Sequence, residues 1–260
     1  MATTVPVPVA SGCSNLLMGR VQQKAYRGAA AMVATPTLAL LAGCADGRLS
    51  ALAPAGPAAA SIATIWHVMA WSAAAILVLM IALAARACLR RPRSEDRSSA
   101  RLLLVGGGLV FPGAVLLALL VYGLRASDIQ APLSNGQEVY RVHVQAHQWW
   151  WEVTHLDAPD GPRHAVNRIH VPAGVPFHII LTSNDVIHSF WIPRLGGKID
   201  AIPGRRNSIR LQADEPGVYD GVCAEFCGAD HANMPLQLTA HEEADLVGAL
   251  QQLSLTRVTP

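Results

Sequence analysis

Charge is scarce in this sequence. Asp, Glu, Lys and Arg make up 15% of its 260 residues, against about 25% in ordinary soluble proteins. Two long runs, 49–85 and 102–124, contain none of the four. That shortage excludes intrinsic disorder and speaks against a fully soluble chain. A strongly basic domain is missing too. Residues 1–125 carry 11 Lys/Arg against 3 Asp/Glu, a balance of +8, whereas residues 126–260 carry 9 against 15, a balance of −6. The half with soluble character is therefore acidic, which argues against nucleic acid as a partner. Five cysteines (Cys13, Cys44, Cys88, Cys223, Cys227) are too few for a disulfide scaffold. The sequence holds no internal repeat, no Ser/His/Asp arrangement and no phosphate-cradling Gly-rich loop, and its one biased stretch is the Ala/Pro-rich 51–60. What remains is the composition of a membrane-tethered domain.

Residues 1–43 read as a lipoprotein-type signal peptide. Arg20, Lys24 and Arg27 precede an apolar stretch from Ala29 to Ala42, interrupted by Pro36. Leu41-Ala42-Gly43-Cys44 then matches a lipobox, in which Cys44 would be lipidated and become the mature N-terminus. Translation could start at Met1 or at Met18, and the plainer readings are an ordinary signal peptide or an extra membrane helix. A linker follows at 44–61, exported with the mature N-terminus, and then a transmembrane hairpin at 62–125. Its first span is Ile62 to Ala85, with Trp66 and Trp71 toward the starting interface. Its second, Leu102 to Leu124, reaches roughly 34 Å at ~1.5 Å per residue, enough for a hydrocarbon core of about 30 Å. Pro112 and Gly106-Gly107-Gly108 interrupt that span and are tolerable in a membrane helix through local adjustment. Between the spans, loop 86–101 carries Arg86, Arg90, Arg91, Arg93, Arg97 and Arg101 against Glu95 and Asp96. Such a loop stays cytoplasmic, so everything after Arg125 is exported.

From residue 126 to 260 the pattern changes to short β-rich runs: Glu138–Gln145, Asn167–Val171, Pro176–Thr182, Val186–Pro193, Ser208–Gln212, Gly217–Val222 and Pro235–Thr239. Turn signals such as Asp160-Gly161-Pro162 and Glu215-Pro216-Gly217 separate them. Strands of this length and spacing imply an all-β sandwich or barrel. His241 to Leu253 has helical spacing, with acids first and Leu246, Leu250 and Leu253 on one side.

The chemistry concentrates in Cys223-Ala-Glu225-Phe-Cys227-Gly-Ala-Asp-His231-Ala-Asn-Met234, a C-x3-C-x3-H-x2-M pattern between two strand runs, with His188 thirty-five residues upstream in Asp185-Val-Ile-His188-Ser-Phe-Trp-Ile-Pro193. Thiolate, imidazole and thioether together suit copper. A mononuclear blue site needs one cysteine and this loop offers two, so the sulfurs can bridge a pair of coppers, each completed by one histidine. Taken singly, the residues have blander readings: a disulfide, a structural zinc site, or core packing of Met234. Five candidate ligands in this order favour the copper reading. His143, His147, His155, His164, His170, His178 and His241 show no ligand spacing, and Cys88 reads as a free thiol at the cytoplasmic edge.

This motif resembles that of subunit II of cytochrome c oxidase. So do Asp185-Val-Ile-His188-Ser-Phe-Trp, Leu195-Gly-Gly-Lys-Ile-Asp200-Ala-Ile-Pro-Gly204-Arg205, Gln148-Trp149-Trp150-Trp151 and the hairpin-plus-β-domain layout. The resemblance implies a two-helix transmembrane hairpin followed by a cupredoxin-like Greek-key sandwich, in a bacterial plasma (inner) membrane with the C-terminal domain in the periplasm. It also implies a dinuclear copper A centre. Cys223 and Cys227 would bridge the coppers, His188 and His231 would bind one each, Met234 would be a weak ligand and Glu225 would give its carbonyl. The Glu225 carboxylate would reach a magnesium or manganese ion at the boundary with subunit I. Trp149 would receive electrons from cytochrome c, and Asp185 would be a docking acid for that cationic donor, in keeping with the −6 balance. Implied partners are subunit I, the other oxidase subunits and cytochrome c.

Three details depart from or refine the family pattern. Trp150 stands where Tyr is usual, 102–124 lacks the carboxylate many members carry in the second span, and no Cys-x-x-Cys-His haem-attachment motif is present. Quinol-oxidising relatives lack the copper ligands, which favours cytochrome c as donor. The rival functions are a membrane-anchored copper carrier or assembly factor and the copper A domain of another respiratory reductase.

Overall fold

The structure is a computed structural model that describes residues 47–89, 101–126 and 139–257. The expected signal segment, Cys44 and arginines 90–97 of the charged loop lie outside the described residues. Helix α1 (Pro57–Leu89) opens on a proline, which suits a first helical position because its missing N–H has no partner there anyway. It is longer than the span read from sequence, since its first turns pack on the β domain, with Ala58, Ala59 and Ala63 buried. Beyond them its apolar side chains are exposed all round, the surface of a helix made for lipid. The second apolar helix starts as a π-helical stretch, Leu102–Val110, and continues as α2 (Phe111–Ala126). The Phe111 N–H donates to the Gly106 carbonyl five residues back. This widening is the local adjustment expected of the span: it runs through the glycine triplet and ends next to Pro112, whose ring would otherwise crowd the preceding turn. Both helices are long and apolar enough to cross a membrane.

Ten strands follow: β1 (Tyr140–His147), β2 (Trp150–His155), β3 (Arg163–Val166), β4 (Arg168–Pro172), β5 (Phe177–Ser183), β6 (His188–Trp191), β7 (Ile199–Ala201), β8 (Asn207–Leu211), β9 (Gly217–Cys223) and β10 (Pro235–His241). They form two five-stranded sheets, ordered β3-β2-β1-β5-β8 and β4-β10-β9-β6-β7. β1 runs parallel to β5 and β4 parallel to β10, while the remaining pairs are antiparallel. Alternate residues of both sheets, among them Val142, Val144, Ile179, Leu181, Phe190 and Leu238, enter one shared core. The domain is the cupredoxin-like sandwich expected. The chain crosses between sheets at Asn167, at φ 59°, whose side-chain oxygen accepts from the Trp151 N–H at 2.7 Å. Each of the seven strand runs read from sequence is present, offset by a few residues at most. β2, β3 and β7 are additional. Helix α3 (Glu243–Gln251) falls within the helical run expected there.

Residues 48–56 form a strap along the sandwich. The Ala55 N–H donates to the Arg194 carbonyl at 2.7 Å, and the Asp214 N–H to the Ala55 carbonyl at 2.9 Å. Arg194 Nε donates to the Ala53 carbonyl at 2.9 Å, and Arg48 pairs with Asp220. At Gly56 a Cβ would lie 2.1 Å from the Gln212 carbonyl oxygen, so only glycine lets the chain pass.

Three histidines form a ladder on the sandwich. His155 is fully buried, and its Nδ1 lies 3.1 Å from the Tyr140 hydroxyl. The rings of His155 and His170 have centres 5.9 Å apart, and His170 Nδ1 lies 2.8 Å from His241 Nε2. Burial, then the neighbouring His170 and His164, push His155 down to about 3. Burial, then His241 and Arg168, push His170 down to about 4. Unfolding restores the ordinary value near 6.5. The stabilising effect of neutral imidazoles is thus complete above about pH 6.5 and is lost as pH falls toward 3. The denaturant midpoint should drop across that window, with a slope from His155 alone approaching 1.4 kcal/mol per pH unit (about one proton). Urea titrations from pH 7 to 4 should show it, and His155→Gln should flatten the slope.

Candidate metal centre

The loop from Cys223 to Met234 is closed by its own strands. β9 and β10 pair antiparallel with Val222 opposite Pro235, and the Cys223 N–H donates to the Met234 carbonyl at 3.2 Å. β6 lies on the other side of β9 with Phe190 opposite Cys223. His188, two residues before Phe190 and so on the same face, is thereby aimed at the loop. Its ring meets Trp151 edge-on at 6.0 Å. A single 3-10 turn, His231–Asn233, brings the second histidine in.

These elements place the five expected side chains together. The two cysteine sulfurs are free thiols 3.9 Å apart. Cys223 Sγ lies 3.9 Å from His188 Nδ1 and 3.3 Å from the Glu225 carbonyl oxygen. Cys227 Sγ lies 3.6 Å from His231 Nδ1 and 3.9 Å from Met234 Sδ. Each thiol therefore has its own imidazole. Cys223, Cys227, His188 and Met234 are all buried, so the donors sit in an apolar surround where a metal's charge is felt strongly. Among the described residues, His188, Cys223 and Cys227 make a potential metal-holding group. Soft sulfur with imidazole fits a copper site and suits neither magnesium nor calcium.

Electrostatics split the two thiols. Burial raises Cys223, but the His188 imidazole and the backbone at Glu225 and Ser189 outweigh it and bring the thiol down to about 6. Burial and then the Cys223 charge push Cys227 up. Two thiolates side by side repel each other, and a bound metal would supply the compensating positive charge.

Asp185 is where the structure adds most to the sequence reading. Its carboxylate accepts three hydrogen bonds: Oδ1 from His188 Nε2 at 2.8 Å and from the Val186 N–H at 2.6 Å, and Oδ2 from the Gln148 N–H at 2.7 Å. Burial raises its pKa, but these bonds, led by that from His188, hold it below the usual carboxylate range. Gln148, read from sequence only as the start of the aromatic run, also donates its side-chain amide to the Cys227 carbonyl at 2.7 Å. Trp149 is half-buried, and its Nε1 has no hydrogen-bond partner. The Glu225 carboxylate is exposed and takes Lys198 Nζ at 3.0 Å. Phe226 is 77% exposed, edge-on to His231. Nothing in the residue spacing marks Gln148, because its role depends on a loop seventy-nine residues away.

Gly228 has φ 125°, and a Cβ there would lie 3.1 Å from Gln148 Nε2 and 3.3 Å from two indole atoms of Trp149. Gly228→Ala should therefore destabilise the metal-free chain by about 1–3 kcal/mol. A lowered midpoint in chemical denaturation checks this.

Comparison with known proteins bears on the same region. The family described as "Cytochrome C oxidase subunit II, periplasmic domain" matches residues 162–241. The chain is 34% identical over 213 residues to a cytochrome c oxidase subunit 2 of Alkalihalophilus pseudofirmus, an alignment covering 78% of this chain and 61% of that protein. The chain thus spans about three fifths of the length of that curated relative. Among solved structures, the periplasmic domain of subunit II of cytochrome oxidase of Bradyrhizobium japonicum is 28% identical. The overlap covers 47% of this chain and 95% of that one at a TM-score of 0.43. A heme-copper terminal oxidase dimer is 26% identical, covering 56% and 100% respectively at 0.37.

Proposed function

We propose, from the family match over residues 162–241 and the 34% identity to a curated relative, that the chain is a member of the cytochrome c oxidase subunit II family and the electron-entry subunit of a haem-copper terminal oxidase. In this reading it accepts electrons from cytochrome c and delivers them to the haem of subunit I, where oxygen is reduced to water. The observation that carries the proposal is the pair of thiols 3.9 Å apart, each flanked by a different histidine. Cys223 and Cys227 would bridge a dinuclear copper A centre, His188 and His231 would each complete one copper, and Met234 and the Glu225 carbonyl would add weak contacts. When bound, that centre supplies reversible one-electron chemistry.

The chain's own residues then have distinct tasks. The sandwich excludes water from the sulfurs, and the strand ladder fixes their separation so that little rearrangement accompanies a change of charge. Trp149 lies against Gly228, next to Cys227, and would be the point where electrons enter. The acidic balance of the exported half, −6, would draw in a cationic donor. A magnesium or manganese ion at Glu225, shared with subunit I, would have to displace the Lys198 ammonium from that carboxylate. The domain would face the periplasm of a bacterial inner membrane, with Cys44 as a lipidation site if the signal segment is cleaved there.

The test uses the full chain, because the strap at 48–56 is bonded to the sandwich. Two coppers per chain and a seven-line hyperfine pattern in the half-reduced state are expected, as one electron shared over two nuclei requires. One copper with a four-line pattern would sink the reading and favour a copper carrier. Electron entry from a cationic cytochrome c should also slow as ionic strength rises, because screening shortens the reach of the acidic surface. Stopped-flow reduction at several salt concentrations would reveal a salt-independent rate if that steering is absent.

A further inference from the structure

We infer that Gln148 and Asp185 form one clamp that positions the Trp149 ring against the copper loop, a role for Asp185 beyond that of a surface docking acid. The inference rests on the electron-entry reading above. The bonds run in a closed circuit. His188 is held through Nε2 by Asp185, Asp185 holds the Gln148 N–H with its other oxygen, and the Gln148 side chain reaches the Cys227 carbonyl. One residue is thus fixed at its backbone by the partner of one ligand and at its side chain by another ligand. Trp149 is the next residue in the chain.

The indole packs against the sandwich core but has no polar anchor of its own. Its Nε1 is buried without a hydrogen-bond partner, so no polar contact of its own fixes the ring. Beyond that packing, its position is set by the Gln148 backbone on one side and by the bare Gly228 surface on the other, where a Cβ would already lie 3.3 Å from the ring. Electron transfer between fixed groups falls steeply with their separation, so a loosened ring slows the step without affecting how the donor binds. Asp185 is suited to the clamp by acceptor count. It serves three donors at once, and Asn at that position would offer a single acceptor oxygen with an amino group facing N–H groups. A purely solvated docking acid has no need of these three bonds.

The experiment compares the wild-type full chain with Gln148→Leu and Asp185→Asn, both with copper and metal-free. With copper, Gln148→Leu should keep its copper count and its half-saturating concentration of a cationic cytochrome c, while its saturating rate of reduction falls about tenfold. Asp185→Asn should shift the copper EPR hyperfine splitting with no donor present. In the metal-free chain, hydrogen exchange at the Gln148 amide should accelerate in Asp185→Asn by about tenfold or more. A rise in half-saturating concentration alone, with unchanged spectrum and unchanged exchange, would overturn the clamp and leave Asp185 as a docking acid. A wild-type chain without the copper pair would instead defeat the electron-entry reading, and the exchange measurement would still decide whether the clamp exists.

Discussion

The hydrogen bond from the Cys223 amide to the Met234 carbonyl closes a twelve-residue loop onto the end of an antiparallel ladder, and the site depends on that closure. With the loop ends fixed, the C-x3-C-x3-H-x2-M spacing has little freedom. Two thiols, an imidazole and a thioether must occupy one small volume, and burial removes water as a competing ligand. The only long-range contributor is His188, and the pairing of β6 with β9 aims it there. Sheet register, not loop flexibility, sets the geometry of the donors.

That dependence explains what could be read from sequence. Residues 223–234 were legible because their geometry is local, and the two spans because an unbroken apolar run has few other physical explanations. The strands β1, β4, β5, β6, β8, β9 and β10 were legible as β-rich runs set between turn residues. β2 went unread although Trp151-Glu152-Val153-Thr154 alternates apolar and polar residues; in the fold Trp151 through His155 are all buried. β3 and β7 are four and three residues long, below the length at which a pattern forms. Asp185 was visible as an acid beside a ligand, but its three partners were not. Two of those bonds link neighbours in sequence, while the third joins residues 148 and 185 just past the ends of the paired strands β1 and β5. Gln148 stood in the sequence only as the first residue of the aromatic run, with no role of its own.

Charge is handled differently on the two sides of the ligand loop. Around His188 and Cys223, carboxylate, imidazole and thiol form a connected row, Asp185 to His188 to Cys223, half-buried at the carboxylate and buried at the other two. Around Glu225 the charges are exposed, and Lys198 is shared between Glu225 and Asp200. Exposed pairs of that kind contribute little to stability. They leave the surface free to exchange partners, whereas the connected row is committed to one arrangement. Stability and adaptability are thus separated by about the width of one loop.

The strap at 48–56 has a mechanical consequence. Helix α1 begins at Pro57, directly after a glycine that touches the Gln212 backbone, and its first turns are buried against the sandwich. No slack separates the membrane span from the domain, so the domain behaves as a lever welded to its shaft and not as a weight on a cord. A cord-like tether would let the ligand loop sweep through many orientations. A welded lever holds that loop at one height and one orientation relative to the apolar helix.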